Sequence, residues 1–308
     1  MSQLINYPHL ASLVFNTPLY ATPDLMQTVR AVLEPRLLGR LTDMPECLDA
    51  GGSPESREMQ SLRVVGRLAI IPVHGILTAR AGQIDGACQE ILSYEKLRGQ
   101  IHAALRHEMV EEIVLDMHSG GGAAMGCKEL ADFIRASTEV KPITALINFA
   151  AFSACYMLAA ACSRIVCSPT AMAGSIGVII ETYEVSKAEE AFGIKFNTYY
   201  RGAHKNDCSP HEPITDQAVA EIDRRLDAAY ATFTESVADH RGIDLSVVTG
   251  TEARMFDAEG ARAIQLIDEI APAQEALDSI AARYSGQQAP RRGSVSARAG
   301  AMKLQNTL

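Results

Sequence analysis

From Arg63 onward the sequence alternates short, apolar, β-rich runs with amphipathic segments, and this alternation restricts the fold more than any other feature. The predicted strands cover residues 67–77, 111–117, 143–148, 164–168, 176–182 and 195–201, and the predicted helices cover about 86–107, 126–136, 154–162 and 184–192. Such alternation is typical of βα units. Because the strands are apolar along their whole length, we expect both faces of the sheet to be covered. The predicted fold class is therefore α/β.

Less regular segments flank the alternating region. Residues 215–241 carry apolar side chains three or four positions apart, which predicts one long amphipathic helix, followed by shorter ones to about residue 283. Before Arg63 the chain is irregular apart from a helix predicted over 25–38, which Asp24 could cap. After Asp278 the only charged residues are basic. We therefore divide the chain into an N-terminal arm (1–62), one domain (63–283) and a flexible basic tail (284–308).

Composition narrows the class of protein. The chain has 308 residues, 47% hydrophobic and 21% charged, which indicates a globular protein. Its net charge of −9 argues against a general nucleic-acid binder, which would need a basic surface. Seven cysteines, an odd number mostly among apolar neighbours, fit reduced buried thiols in a cytoplasm. The N-terminus shows no secretory signal.

One uncharged stretch, residues 142–163, is long enough to cross a bilayer. It is rich in alanine and contains Asn148, Ser153 and Ser163, so it lacks the sustained apolar content that favours insertion. We interpret it as a buried strand that leads directly into a buried helix, and we expect no membrane partner.

A glycine-rich turn is the first candidate for chemistry. The segment DMHSGGGAAMG, residues 116–126, lies between a predicted strand and a predicted helix. Successive glycines leave backbone N–H groups uncovered near a helix N-terminus, which suits an anion or an oxyanion. The spacing matches neither of the two common glycine-rich nucleotide motifs. A plain turn without a ligand is the alternative.

A serine at a strand-to-helix junction is the second candidate. Ser153 lies in the segment NFAAFSACYMLAA, residues 148–160, where it could act as a nucleophile or simply cap the helix. A nucleophile needs a base, and His204 and Lys205 are both candidates. A lysine works as a base only when burial lowers its pKa from about 10.4, whereas a histidine needs less help. Spacing alone does not choose between them.

Four segments in this order, VLDMHSGGG, FSACYMLAA, AGSIGV and RGAHK, resemble the S49 peptidases, the family of protease IV and signal peptide peptidase A. The resemblance covers residues 67 to about 272. It implies a ClpP/crotonase-like fold of repeated ββα units with a helical C-terminal part. It also implies a serine peptidase with a Ser/Lys dyad, with no cofactor and no metal.

The resemblance also assigns roles to individual residues. The family nucleophile corresponds to Ser153 in the tetrapeptide SACY, and the base corresponds to Lys205. Backbone N–H groups of Gly121 and Ala154 would form the oxyanion hole, and Ser175 of the GSIG motif would orient the lysine. In the glycine-rich segment His118 replaces the family's usual asparagine and Gly120 its proline, changes that remove no backbone donor.

The first 40 residues resemble a narrower branch, the lambda-type phage capsid assembly proteases, through the segment INYPHLASLVFNTPLYATPDLMQTV. That branch implies a prohead protease that cleaves scaffold, itself and portal or capsid proteins during head maturation. It implies a homo-oligomer in the host cytoplasm or procapsid that needs no nucleic acid.

Other interpretations of the same residues remain open. A signal-peptide-degrading bacterial enzyme, an acyl-CoA enzyme of the crotonase type, or a catalytically silent head component would share the fold. Cys155 with His204 is a conceivable dyad. A zinc site is conceivable from thiols and an imidazole spaced C-x4-C and C-x2-H; its ligands would be Cys162, Cys167, Cys208 and His211.

Overall fold

The computed structural model describes residues 14–37, 62–80 and 91–285. The strands in this part are β1 (Leu19–Ala21), β2 (Arg63–Val65), β3 (Leu68–Thr78), β4 (Leu92–Ser93), β5 (Glu112–Ala123), β6 (Ile143–Phe152), β7 (Arg164–Cys167), β8 (Met172–Gly174), β9 (Met255–Asp257) and β10 (Glu269–Ile270). The α-helices are α1 (Pro23–Leu37), α2 (Tyr94–Arg106), α3 (Cys127–Ser137), α4 (Ala154–Ala160), α5 (Ser186–Ala191), α6 (Asp216–Arg241), α7 (Leu245–Thr249), α8 (Ala258–Ala263) and α9 (Ala273–Tyr284).

One sheet organises the described residues. Its main order is β10-β7-β6-β5-β3-β2, and β3, β5, β6 and β7 run parallel to their neighbours in the centre. Each central connection passes through a helix, as parallel pairing requires. The short strands β1 and β2 are antiparallel to β5 and β3. The predicted α/β class, with a helical C-terminal part, is confirmed.

Helices cover both faces of the central strands. Successive residues of β5 point to opposite sides, so Ile113, Leu115 and Met117 join the large core beneath α2, α3 and α4. On the other face Val114 joins a smaller cluster with Ala276 and Ile280 of α9. This two-sided burial explains why the strands are apolar without alternation.

The uncharged stretch 142–163 has the structure predicted for it, since β6 ends at Phe152 and α4 begins at Ala154. No helix in the described part of the chain has the length and apolar character of a membrane span. Helix α6 confirms the helix predicted over 215–241.

Three local predictions are wrong. Residues 195–201 form no strand, and 176–182 contributes only isolated bridges at Ile179 and Glu181. A strand exists only when another strand satisfies its backbone groups, and the apolar pattern does not reveal whether a partner is there. Asp24 lies inside α1 rather than capping it, and the Thr22 hydroxyl accepts the N–H of Leu25 at 3.3 Å instead.

Several predicted features lie partly or wholly outside the described residues. They are the start of the helix predicted over 86–107, the arm before residue 14 and over 38–61, and the basic tail beyond Ser285. Within the described residues α2 begins at Tyr94, where the Ser93 hydroxyl accepts the N–H of Lys96 at 3.1 Å. The domain boundaries stay a prediction.

Candidate active site

Ser153 sits at the sharp turn between β6 and α4 and has an unusual backbone. Its φ of 57° and ψ of −123° lie in a region that side chains disfavour. The residue is 1% exposed, and its Oγ is buried without a hydrogen-bond partner in the described part of the chain. A strained, strand-to-helix serine with an uncommitted hydroxyl is the geometry of a nucleophile elbow.

The glycine-rich end of β5 lies directly beside this serine. A Cβ atom built on Gly121, where φ is 102°, would lie 2.9 Å from the Ser153 Cβ and 3.1 Å from the Ala154 nitrogen. Only glycine permits this approach at position 121. Gly122 is required by β3 instead, because a Cβ there would lie 1.9 Å from the Leu77 carbonyl oxygen. The Gly121 N–H donates to the Ser119 hydroxyl at 3.0 Å.

Ala154 supplies a second backbone donor at the same place. It is the first residue of α4 and fully buried. The first N–H groups of a helix have no acceptor within the helix, and the helix dipole adds partial positive charge there. The Ala154 N–H therefore lies beside Gly121 and Ser153, and the backbone N–H groups of Gly121 and Ala154 are the candidates for an oxyanion site.

Ser175 is held next to the same turn. The Ser153 N–H donates to the Gly174 carbonyl oxygen at 2.9 Å, and the Ser175 N–H donates to the Arg254 carbonyl oxygen at 2.9 Å. Ser175 is 6% exposed and also has a positive φ, 55°. The structure thus brings four of the five predicted site residues together, on the ends of β5, β6 and β8.

Lys205 is the fifth residue, and the structure places it in an exposed 3₁₀ turn, Ala203–Asn206. No hydrogen bond or ion pair joins it to Ser153 or Ser175 within the described residues. Its neighbour His204 is also exposed, and the His204 Nδ1 lies 2.7 Å from an Asp207 carboxylate oxygen. That carboxylate, rather than a serine, is the partner of this imidazole.

The segment that leads to Lys205 exposes an unusual amount of apolar surface. Every residue from 191 to 205 is exposed. The large apolar side chains among them are Phe192 (81%), Ile194 (52%), Phe196 (53%), Tyr199 (91%) and Tyr200 (46%). Large contiguous apolar surface typically marks an interaction site.

The N-terminal arm contributes to the site, although its residue pattern does not predict this. Strand β1 pairs antiparallel with β5, with Ala21 opposite Gly121 and Leu19 opposite Ala123. The Cβ built on Gly121 would lie only 2.1 Å from the Tyr20 carbonyl oxygen. The short run PLYA between prolines was the available signal, but three residues carry no detectable strand periodicity.

No contact in the described part of the chain supports the cysteine alternatives, which are the Cys155/His204 dyad and the zinc site. Cys155 is fully buried, and burial raises the pKa of its thiol well above the ordinary value, which favours the inert protonated form. Cys162 is likewise buried, and its Sγ donates to the Leu158 carbonyl oxygen at 3.5 Å. Within the described residues no group of three or more His, Cys, Asp or Glu side chains could hold a metal ion.

Comparison with known proteins identifies a peptidase family and similar phage proteins. The model of peptidase family S49 matches residues 135–287. The chain is 30% identical to capsid assembly protease C of Escherichia phage lambda, over 92% of this chain and 69% of that protein. It is 30% identical to head-tail preconnector protein GP5 of Enterobacteria phage P21, over 90% of this chain and 57% of that protein.

A solved enoyl-CoA hydratase from Shewanella pealeana is similar over 83% of this chain and 86% of its own, at 12% identity and a TM-score of 0.44.

Proposed function

The chain belongs to peptidase family S49, and from this premise we propose that it is a serine endopeptidase with a Ser153/Lys205 dyad that acts in phage head maturation. The observation that carries the proposal is the position of Ser153. Its hydroxyl has no hydrogen-bond partner in the described part of the chain. The residue lies on a strained turn beside Gly121 and the first N–H of α4. This arrangement supplies a nucleophile and the donors for an oxyanion.

The reaction follows the chemistry of acyl transfer. The Ser153 Oγ attacks the scissile carbonyl carbon while the neutral Lys205 amine takes the hydroxyl proton. The N–H groups of Gly121 and Ala154 stabilise the oxyanion of the tetrahedral intermediate, for which Gly121 must exchange its bond to Ser119. Lys205 then gives its proton to the departing amine, which leaves an acyl-enzyme. Water, deprotonated by Lys205, then attacks this ester, and Lys205 returns the proton to the departing Ser153 Oγ, which restores the free serine and the neutral amine.

The base needs a drier environment than the single chain offers. A lysine amine is neutral near pH 7 only when it is withdrawn from water. We infer that a second copy of this chain covers the exposed segment 191–205 and withdraws Lys205 from solvent. The exposed aromatic residues that precede Lys205 in the chain support this inference, since they are costly to leave in water.

The names of the phage relatives support a proposal for the substrates of this chain. The lambda relative is a capsid assembly protease and the P21 relative is a head-tail preconnector protein. We propose that scaffold, portal or capsid proteins of the procapsid, and the chain itself, are cleaved.

Co-expression with candidate head proteins tests this function. Mass spectrometry would compare the termini produced by wild type, Ser153→Ala and Lys205→Ala. We expect both variants to abolish the new termini, because one lacks the nucleophile and the other the base. Identical termini in all three would refute the peptidase proposal.

Matched controls separate chemistry from folding. Lys187→Ala removes another exposed lysine, on α5, and His204→Ala removes the competing base. Both should process substrates like wild type. If His204→Ala abolished processing while Lys205→Ala did not, the histidine would be the base and the lysine assignment wrong.

A further inference from the structure

Strand β1 lies beside the end of β5 that contacts Ser153. Residue numbers rise along β1 from Leu19, opposite Ala123, to Ala21, opposite Gly121. The strand therefore runs toward the nucleophile and passes it, because Ala21 lies opposite the glycine that contacts Ser153. A peptide whose bond is to be cut beside Ser153 would need this same path.

Backbone hydrogen bonds fix the strand on both sides. The Leu19 N–H donates to the Ile179 carbonyl oxygen at 2.9 Å, and the Ile179 N–H donates back to Leu19 at 3.0 Å. On the other side β1 forms a ladder with β5, and just beyond it the Thr22 N–H donates to the Gly120 carbonyl oxygen at 3.0 Å. Extended peptides bind such edges by adding a strand. Here the position is already filled.

Side-chain contacts also hold β1 in place. Tyr20 is 2% exposed, its ring lies 4.6 Å from that of Phe233, and its hydroxyl donates to the Ala229 carbonyl oxygen at 2.7 Å. Thr22 and Leu25 lie over Gly120, since a Cβ there would meet them at 3.0 and 3.4 Å. The arm thus packs over the glycine-rich end of β5, next to Ser153, which is 1% exposed.

We propose that residues 15–22 are a built-in, substrate-like strand that fills the peptide-binding groove of this enzyme and must leave before a substrate enters. The inference rests on the proposed function, because it takes Ser153 as the nucleophile. It adds an autoinhibitory contact and identifies Gly121–Ala123 and Ile179 as the two walls of the groove.

Tyr20 of the arm belongs to the main core, but the contacts on either side of it are weaker. Phe15, Leu33 and Tyr183 belong to a small cluster that is separate from the main core. An ion pair also joins Arg30, whose side chain is 52% exposed, to Glu181, whose side chain is 10% exposed. Small clusters of this kind open without global unfolding, whereas release of the whole strand must also withdraw Tyr20 from the core.

A reversible crosslink tests the proposal in the full chain. Leu19 and Ile179 exchange both hydrogen bonds, so their Cα atoms lie about 5.5 Å apart, a distance that a disulfide can span. In Leu19→Cys with Ile179→Cys, oxidation would hold β1 in place. The readouts are hydrolysis of fluorescein-labelled casein and labelling of Ser153 by a fluorophosphonate probe.

We expect both signals to fall about tenfold or more on oxidation and to return on reduction, because only the open fraction binds substrate. Each single cysteine variant, treated in the same way, is the control for the native thiols. Circular dichroism of the oxidised protein verifies its fold. Full activity of the crosslinked protein would overturn the proposal.

Loosening the arm gives the opposite change. Arg30→Ala and Phe15→Ala should raise casein hydrolysis and probe labelling, while an arm that merely completes the active site would make both variants less active.

The Ser153→Ala variant separates this inference from the proposed function. Hydrolysis that survives in Ser153→Ala, or is absent from the reduced and loosened proteins alike, contradicts the function itself. Ser153-dependent hydrolysis that ignores the crosslink contradicts only the inhibitory strand.

Discussion

The Ser153 N–H donates to the Gly174 carbonyl oxygen at 2.9 Å, and this bond joins the turn that carries the proposed nucleophile to the strand that precedes Ser175. Two motifs that are 22 positions apart in the sequence thus share one backbone contact. The strain at Ser153 is maintained by this bond and by the burial of α4, whose residues are all buried.

The strain at Ser153 predicts a gain in stability when the residue is replaced. Ser153→Ala removes a buried hydroxyl that has no partner in the described structure, and Ser153→Gly also relieves the positive φ. We expect Ser153→Gly to raise the free energy of unfolding by about 1 kcal/mol while abolishing activity. Urea denaturation measures the change.

The matched control is Ser137→Ala. Ser137 is equally buried, but its hydroxyl donates to the Phe133 carbonyl oxygen at 2.7 Å, so its loss should cost about 1 kcal/mol. Equal destabilisation by the two alanine substitutions would argue against an unpartnered hydroxyl at Ser153, and a Ser153→Gly variant no more stable than Ser153→Ala would argue against strain there.

Gly121→Ala should abolish activity and destabilise the protein. Its Cβ would lie 2.1 Å from the Tyr20 carbonyl oxygen and 2.9 Å from the Ser153 Cβ, and φ is 102°. Gly99→Ala is the control, because Gly99 lies exposed in α2 with nothing within 4 Å of a new Cβ. That variant should gain about 0.5–1 kcal/mol from helix propensity. Thermal melts and casein hydrolysis report both effects, and an active Gly121→Ala enzyme would contradict the oxyanion assignment.

Helix α9 is anchored to the sheet by a buried carboxylate, and this predicts a pH dependence. The Tyr284 hydroxyl donates to Glu112 at 2.7 Å, and burial, followed by this bond, raises the pKa of Tyr284 to about 12. The unfolded chain loses this proton near pH 10, so the stability that the hydroxyl contributes is present below pH 10 and lost as pH rises toward 12.

Tyr284→Phe should therefore be less stable than wild type at pH 8, and the difference should shrink above pH 10. Urea midpoints at several pH values measure it, and comparison with wild type cancels the titration of other tyrosines. A difference that stays constant to pH 12 would show that the hydroxyl does not titrate as proposed.

The exposed segment before Lys205 predicts self-association. Tyr199→Asp places a charge on a side chain that is 91% exposed, so folding should be unaffected while a contact with a second copy is weakened. Analytical ultracentrifugation should show a shift toward monomer together with lower activity. Met109→Asp, at another exposed apolar site, should change neither. A wild type that stays monomeric at assembly concentrations would exclude the second copy as the cover of Lys205.

The order of residues along the chain is enough to predict the α/β class, because apolar runs of strand length between amphipathic helices have few other solutions. It also determined the nucleophile and glycine-loop candidates, since a serine or a glycine triplet at a strand end is visible in local order. The helix over 215–241 and the buried junction at Phe152–Ala154 followed from the same local patterns.

Which elements lie against one another depends on contacts that become visible in the folded chain. The apolar run at 195–201 has the composition of a strand but pairs with no strand among the described residues, and its residues are exposed. The short segment Leu19–Ala21 has almost no strand signal, yet it pairs with β5 because Gly121 leaves room for its backbone. Pairing and close approach depend on contacts between residues far apart in the chain, and a local pattern carries no information about them.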